Sequence, residues 1–179
     1  MSLDIINEKE LQRSLFEYGP KRYYLRDEIP MPKISDSAKG NESIVYKAWS
    51  NILDFCQRNI GYIPDGIEDV EITFEPLKKY YTEMVWEPLI RGYDKWIRVP
   101  AMRVLGLFNI ENEDVHVDPN APNPEATLFH EFYHWLQKKT GEMGYLMDKL
   151  GDYARVPIEM KTELATQIYY PNRKGFYLD

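Results

Sequence analysis

The chain has 179 residues, 44% of them hydrophobic, which is enough to form the buried core of one domain. Its 22 basic and 29 acidic residues give a formal charge of -7, which argues against nucleic acid or anionic lipid as a partner. We find no apolar run of about 18 residues and no export signal, and the single cysteine agrees with a reducing compartment. We therefore expect a cytoplasmic protein that binds neither nucleic acid nor membrane.

We expect a single domain over residues 1–179, with an irregular N-terminal segment over 1–42 and the core over 43–179. A short helix is predicted from Glu8 to Tyr18. Apolar residues recur at helical spacing from Ser43 to Asn59, which predicts a helix that packs in the core. The cysteine of the chain lies on the apolar face of this helix and is expected to be a buried thiol.

Apolar and polar residues alternate over residues 70–74, which predicts a half-buried strand. A helix is predicted from Leu77 to Ile90, although a proline inside it should kink or end it. The segments Val104–Ile110 and Val115–Val117 predict two adjacent strands. His116 points outward from the second of these strands and is expected to be structural or solvated.

An HExxH motif, formed by His130, Glu131 and His134, uses two of the three histidines in the chain. Residues four apart on a helix share a face, so both imidazoles can bind one metal ion while Glu131 reaches the water that this ion holds. A helix is predicted from Pro124 to Thr140, with Asn123 as its N-cap and two lysines before the glycine that follows it. We expect an apolar flank of this helix in the core and the motif on another face. The pattern is typical of a zinc-dependent hydrolase.

Catalytic zinc takes three protein ligands and keeps one position open for water. No histidine follows His134, and Gln137 and Thr140 stand where the longer HExxHxxGxxH motif has its glycine and its last histidine. The third ligand is therefore expected among the downstream carboxylates. These are Glu142, Asp148, Asp152, Glu159 and Glu163.

A second helix is predicted from Pro157 to Thr166, since a proline suits its first turn and another proline follows its end. Glu159 and Glu163 are four residues apart and share one face of this helix with Thr166, which would aim two carboxylates at one point. A different face is expected to pack in the core. It consists of Met160, Leu164 and Ile168.

The order and spacing of these residues over roughly the last eighty positions resemble the gluzincin metallopeptidases, in particular their small members and the related ImmA/IrrE-like group. In that family the glutamate ligand is followed three and four residues later by a small residue and by an acidic or amide residue. Glu159, Thr162 and Glu163 fit this pattern. The resemblance implies that His130, His134 and Glu159 bind Zn2+ and that Glu163 orients a ligand histidine, His130. The reversed assignment, with Glu163 as the ligand, stays open.

The resemblance also implies an α+β, zincin-like fold, in which a small mixed sheet with an antiparallel edge strand packs on the HExxH helix and the glutamate helix follows. Peptide substrate would pair with the backbone of Leu105–Phe108, where Gly106 permits close approach, and a plain core strand is the alternative. Family members use a later histidine or another donor to stabilise the oxyanion. Tyr153 is the preferred donor here, ahead of Arg155, Tyr169, Tyr170 and Arg173.

The predicted activity is zinc-dependent hydrolysis of a peptide or protein substrate, with Glu131 as general base toward a metal-activated water. One alternative is a zinc-binding regulatory or protein-interaction module with little or no peptidase activity. Another is a latent enzyme, in which residues 19–42 or Arg173–Asp179 lie over the cleft. Iron, cobalt and manganese are alternatives to zinc.

Overall fold

The computed structural model describes residues 29–77, 82–86, 96–102 and 105–172, and the second and third of these ranges are described by their backbone alone. The helix predicted from Glu8 to Tyr18 lies outside the described residues. Within these ranges, none of the helices combines the length and the apolar character that a membrane span requires.

Helices and strands follow one another in an α+β arrangement. In chain order the elements are β1 (Lys33–Ile34), α1 (Glu42–Asn59), β2 (Glu71–Phe74), β3 (Thr82–Trp86), β4 (Trp96–Met102), β5 (Gly106–Phe108), β6 (Val115–Val117), α2 (Pro124–Lys139), α3 (Glu142–Leu150) and α4 (Arg155–Tyr169). A short 3-10 turn, Gly151–Ala154, joins α3 to α4. The predicted helices over 43–59 and 124–140 and the predicted strands over 70–74 and 115–117 are confirmed within one or two residues.

Four of the described strands form a small mixed sheet in the order β1-β2-β6-β5. Strand β2 pairs in parallel with both β1 and β6, whereas β5 pairs with β6 in the antiparallel direction and forms one edge. Strands β3 and β4 form a separate antiparallel pair. The expected small mixed sheet with an antiparallel edge strand is therefore present, and β5 is shorter than the predicted strand over 104–110.

Helix α2 is the central element of the core. It contacts α1, α3 and α4 as well as β5 and β6. The side-chain oxygen of Asn123 accepts a hydrogen bond from the backbone N–H of Ala126 at 3.0 Å, as expected for the predicted N-cap. The expected apolar flank is buried, and burial extends well beyond it, because the sheet and three helices bury nearly every side chain of the helix from Ala126 to Gln137.

Helix α1 packs against α2 through aromatic side chains. Trp49 is 1% exposed, and its ring lies 5.5 Å from Phe132 and 5.7 Å from Trp135 in edge-to-face contacts. Cys56 lies on the same buried face, and burial raises the pKa of its thiol to about 12. The prediction of a buried, unreactive thiol is confirmed.

The helix predicted from Leu77 to Ile90 is wrong, because residues 82–86 form strand β3. This strand pairs with β4, for which no strand is predicted from the sequence. Thr82, Val85 and Trp86 are residue types that favour strands, and antiparallel pairing with the next strand along the chain decides in favour of a strand. Helical spacing of apolar residues over a short window cannot reveal that pairing.

Helix α4 packs through a different face from the one predicted. Met160, Leu164 and Ile168 are 52%, 56% and 70% exposed, so they do not form its core stripe. The face against α2 is instead small and polar, with Thr162 and Thr166 fully buried. The helix also begins two residues before Pro157, so this proline lies in the first turn. Proline is tolerated there because the N–H groups of a first turn have no partner within the helix, and the N–H that proline lacks would not be used.

The N-terminal segment over 1–42 is predicted to be irregular, but its described part forms β1 and a 3-10 turn, Asp36–Ala38. The backbone N–H of Lys33 donates to the carbonyl of Val70 at 2.8 Å. Strand β1 lies at the edge of the sheet opposite β5. In the alternative of a latent enzyme, residues 19–42 or Arg173–Asp179 would cover the cleft; β1 of the first segment lies at the far edge of the sheet, and Arg173–Asp179 lies outside the described residues.

Replacing Trp49 by Ala should destabilise the protein by about 3–5 kcal/mol, because it leaves a cavity beside two aromatic rings of α2. The free energy of unfolding measured in urea checks this value. Tyr46→Ala on the exposed side of the same helix is the control, with an expected change within about 0.5 kcal/mol. Equal effects of the two substitutions would contradict the packing of α1 on α2.

Candidate metal centre

Two helices bring three possible metal ligands together. His130 and His134 lie one turn apart on α2, with ring centroids separated by 4.9 Å. Oε2 of Glu159 on α4 lies 3.3 Å from Nε2 of His130 and 3.5 Å from Nε2 of His134. One ligand atom from each side chain lies within 4.8 Å of the others. The three residues predicted as ligands therefore converge in space.

The spacing of these atoms fits a tetrahedral metal site. Zinc binds imidazole nitrogen and carboxylate oxygen at about 2.0–2.2 Å, which places neighbouring ligand atoms of a tetrahedron about 3.3–3.6 Å apart. The distances of 3.3 and 3.5 Å from Glu159 to the two histidines agree with that value. Two imidazoles and one carboxylate leave a fourth position for water. The His130, His134 and Glu159 group could thus hold a metal ion.

The charges around the group favour a cation. Burial alone would lower the pKa of His130, but the carboxylates of Glu159, Glu163 and Glu131 outweigh it and raise this pKa to about 9. Burial would raise the pKa of Glu159, but hydrogen bonds with His130 and His134 hold it well below its ordinary value. Positive charge is therefore stabilised at this position.

Glu163 lies on the far side of the His130 imidazole from Glu159. Its Oε2 is 3.5 Å from Nδ1 of His130, and its side chain is 4% exposed. Of the two glutamates, only Glu159 faces the Nε2 atoms of both histidines. This geometry favours Glu159 as the ligand and Glu163 as the carboxylate that orients His130, and both roles remain predictions.

Glu131 lies between α2 and the edge strand β5. It is 6% exposed, and a Cβ placed on Gly106 would be 2.5 Å from its Oε1 atom and 2.7 Å from Cγ2 of Thr127. Only glycine permits this contact between strand and helix. Gly106 is expected from the sequence to permit close approach by substrate, and the structure shows that it permits close approach by the side chain of the predicted general base.

The predicted oxyanion donors lie in different surroundings. Tyr153 is in the turn before α4 and is 52% exposed, and its role as donor remains a prediction. The hydroxyl of Tyr169 donates to Asp54 at 2.7 Å, and that of Tyr170 donates to Glu125 at 3.0 Å. These two tyrosines join α4 to other helices. Arg173 lies outside the described residues.

The other candidate residues from the sequence are placed elsewhere. Glu142 forms an ion pair with Lys161, and His116 contacts Thr73 and Glu75 on the sheet, in agreement with its expected structural role. Two further acidic candidates for the third ligand are exposed. They are Asp148 and Asp152.

Sequence reasoning missed the contacts of two residues beside the predicted ligands. In the sequence, Gln137 marks only a departure from a longer motif, and Thr162 is only a small residue between two glutamates. Oε1 of Gln137 lies 3.0 Å from Nδ1 of His134 and 3.0 Å from the hydroxyl of Thr162. Spacing of three residues between His134 and Gln137 on one helix is the signal that could have indicated the first contact.

Comparison of the chain with protein-family models, with curated proteins and with solved structures finds no match to any of the three. The function of the protein is therefore inferred from the residues and the geometry of the site.

Substituting Glu159 by Ala should lower the affinity for zinc at least about a hundredfold, because it removes one of three ligands and leaves two imidazoles. Competition with a chromophoric chelator measures this affinity. Glu142→Ala is the matched control, since it removes a glutamate near the end of α2 that is paired with Lys161. Equal zinc affinity in the parent and in Glu159→Ala would contradict the assignment of the ligand.

Proposed function

We propose that the protein is a zinc-dependent peptidase of the zincin type. The observation that carries this proposal is the convergence of His130, His134 and Glu159, with Glu131 of the same HExxH motif close enough to help raise the pKa of His130. A bound zinc ion would supply Lewis acidity, lowering the pKa of a water molecule to about 7 and polarising the scissile carbonyl. Side chains of the protein would carry out the remaining steps, which are proton transfer and the orientation of the ligands.

Glu131 would be the residue that moves protons. As a carboxylate that is not in the ligand group, it can accept a proton from the attacking water and later deliver it to the leaving amine. Its burial between α2 and β5 limits the positions that its carboxylate can adopt. Glu163, which lies at Nδ1 of His130 on the side away from Glu159, would keep that imidazole oriented while the proton is transferred.

The edge strand β5 offers a surface for an extended peptide. The Leu105 carbonyl accepts from the N–H of Asp118, and the N–H of Asn109 donates to the Asp114 carbonyl, so these residues face β6. By the alternation of antiparallel pairing, Gly106 and Phe108 direct their backbone groups away from β6. A peptide or protein substrate would pair there as an added strand, and Gly106, one of the two pairing residues, is also the residue in contact with Glu131.

The proposal includes a cytoplasmic site of action and no nucleic-acid or membrane partner, in line with the acidic charge and the single cysteine. A zinc-binding module without peptidase activity would use the same three ligands. The two functions differ in what Glu131 does, because only the peptidase needs it as a base.

Replacing Glu131 by Gln should reduce peptide hydrolysis by about 10³-fold or more while the protein still binds one zinc ion, because the amide cannot accept the proton. The measurement is cleavage of an unfolded protein and of a mixed fluorogenic peptide set, alongside zinc content by elemental analysis. Equal cleavage by Glu131→Gln and parent would contradict its role as base. A parent that binds zinc and cleaves none of these substrates would favour the binding module.

Substituting Gly106 by Ala should lower hydrolysis at least about tenfold with zinc affinity nearly unchanged, because the new methyl group would displace the Glu131 carboxylate or the strand. Gly144→Ala on α3 is the control, since its Cβ would meet no atom within 4 Å. Steady-state kinetics and zinc titration of both variants check this. Full activity of Gly106→Ala would show that the contact with Glu131 has no part in catalysis.

A further inference from the structure

A buried amide lies directly behind one of the proposed ligands. Gln137 is 1% exposed and is three residues past His134 on α2. Its Oε1 atom is 3.0 Å from Nδ1 of His134, the ring nitrogen that does not face Glu159. An amide side chain is costly to bury unless its polar atoms are paired, so its hydrogen bonds define its orientation.

The orientation of the Gln137 amide is set by a backbone carbonyl on α4. Its Nε2 atom lies 3.2 Å from the carbonyl oxygen of Ile158, which can only accept hydrogen bonds. The amide nitrogen must therefore face Ile158, and the amide oxygen must face His134. Because that oxygen is only an acceptor, the hydrogen between Gln137 and His134 must be on Nδ1 of the imidazole.

A buried hydroxyl supports the same arrangement. Thr162 is fully buried, and its Oγ1 atom lies 3.0 Å from Oε1 of Gln137 and 2.8 Å from the Ile158 carbonyl, so its single hydrogen can be donated to either of these two acceptors. Ile158 immediately precedes Glu159 in α4. The contacts of Gln137 and Thr162 thus connect the imidazole of one proposed ligand to the helical turn that carries another.

We propose that Gln137 and Thr162 are positioning residues that fix His134 with its proton on Nδ1 and its Nε2 lone pair directed to the metal. This inference rests on the metal site of the proposed function. The Nε2 atom is the one that lies 3.5 Å from Glu159, so the fixed tautomer presents the nitrogen on the correct side. The two histidines are then supported differently, His130 by the carboxylate of Glu163 and His134 by a neutral amide.

Thr162 can be tested against a matched residue one turn along the same helix. Thr162 and Thr166 are both fully buried, and each hydroxyl lies within hydrogen-bonding distance of the carbonyl four residues before it. Only the Thr162 hydroxyl also lies beside Gln137 and His134. Thr162→Val should weaken zinc binding about two- to tenfold, the value of one hydrogen bond. Thr162→Ser should restore it, and Thr166→Val should leave it unchanged.

Gln137→Met should weaken zinc binding about tenfold to hundredfold, because it removes the acceptor from His134 without changing the charge of the site. Nitrogen-15 NMR of the imidazoles supplies a readout that packing alone would not move. In the parent the Nδ1 atom of His134 should carry a proton that is hydrogen-bonded, with or without zinc, and its signal should shift in Gln137→Met and in Thr162→Val but not in Thr166→Val. Circular dichroism confirms that each variant is folded.

The outcomes separate this inference from the proposed peptidase activity. Weaker zinc binding in Gln137→Met and Thr162→Val, with normal binding in Thr166→Val, supports the inference even if no substrate is cleaved. Equal zinc affinity in all variants, or an unprotonated Nδ1 on His134, overturns it even if the parent hydrolyses peptides. A parent that does not bind zinc removes the proposed function and this inference with it, because the inference assigns the two residues a role toward the metal.

Discussion

The packing of α4 against α2 is the contact on which the site depends, because it joins the imidazoles of one helix to the carboxylate of another. The contact is made by a small polar face that includes Thr162, Ala165 and Thr166, each less than 5% exposed. Small side chains let the helix backbones come close enough for Glu159 to lie within 3.3–3.5 Å of both histidines. A conventional apolar stripe in this position would hold the helices together but could not supply polar partners for buried imidazoles.

Burying polar and charged side chains between α2 and α4 stabilises the fold less than apolar packing would, which indicates that these side chains serve to bind a ligand. Buried charged groups lose their hydration, and well-packed apolar residues of similar size commonly give equal or greater stability. The core around α2 already contains a large aromatic cluster with Trp49, Phe132 and Trp135. The polar cluster around His130 and His134 is therefore not needed to complete the core, and the proposed role in holding a metal ion would account for it.

Local signals in the sequence are enough to predict the helix of the motif and its two histidines, whereas Glu159 is selected among five downstream carboxylates by the resemblance to a family. The Asn123 cap, the four-residue spacing of the histidines and the proline near the start of α4 are all properties of short segments. The buried face of α4 could not be predicted in this way, because Met160, Leu164 and Ile168 have the spacing of a core stripe and yet are exposed. Strands β3 and β4 depend on their pairing with each other, which the spacing of apolar residues within one segment does not reveal, and the contacts of Gln137 depend on how two helices meet.

The most direct measurement of the central claim is a crystal structure of the zinc-loaded protein, with diffraction data collected on both sides of the zinc absorption edge. We predict an anomalous peak bonded to Nε2 of His130, Nε2 of His134 and the Glu159 carboxylate at about 2.0–2.2 Å, with a further position open to solvent. Zinc bound elsewhere, or the three side chains free of metal at saturating zinc, would contradict the proposed metal site.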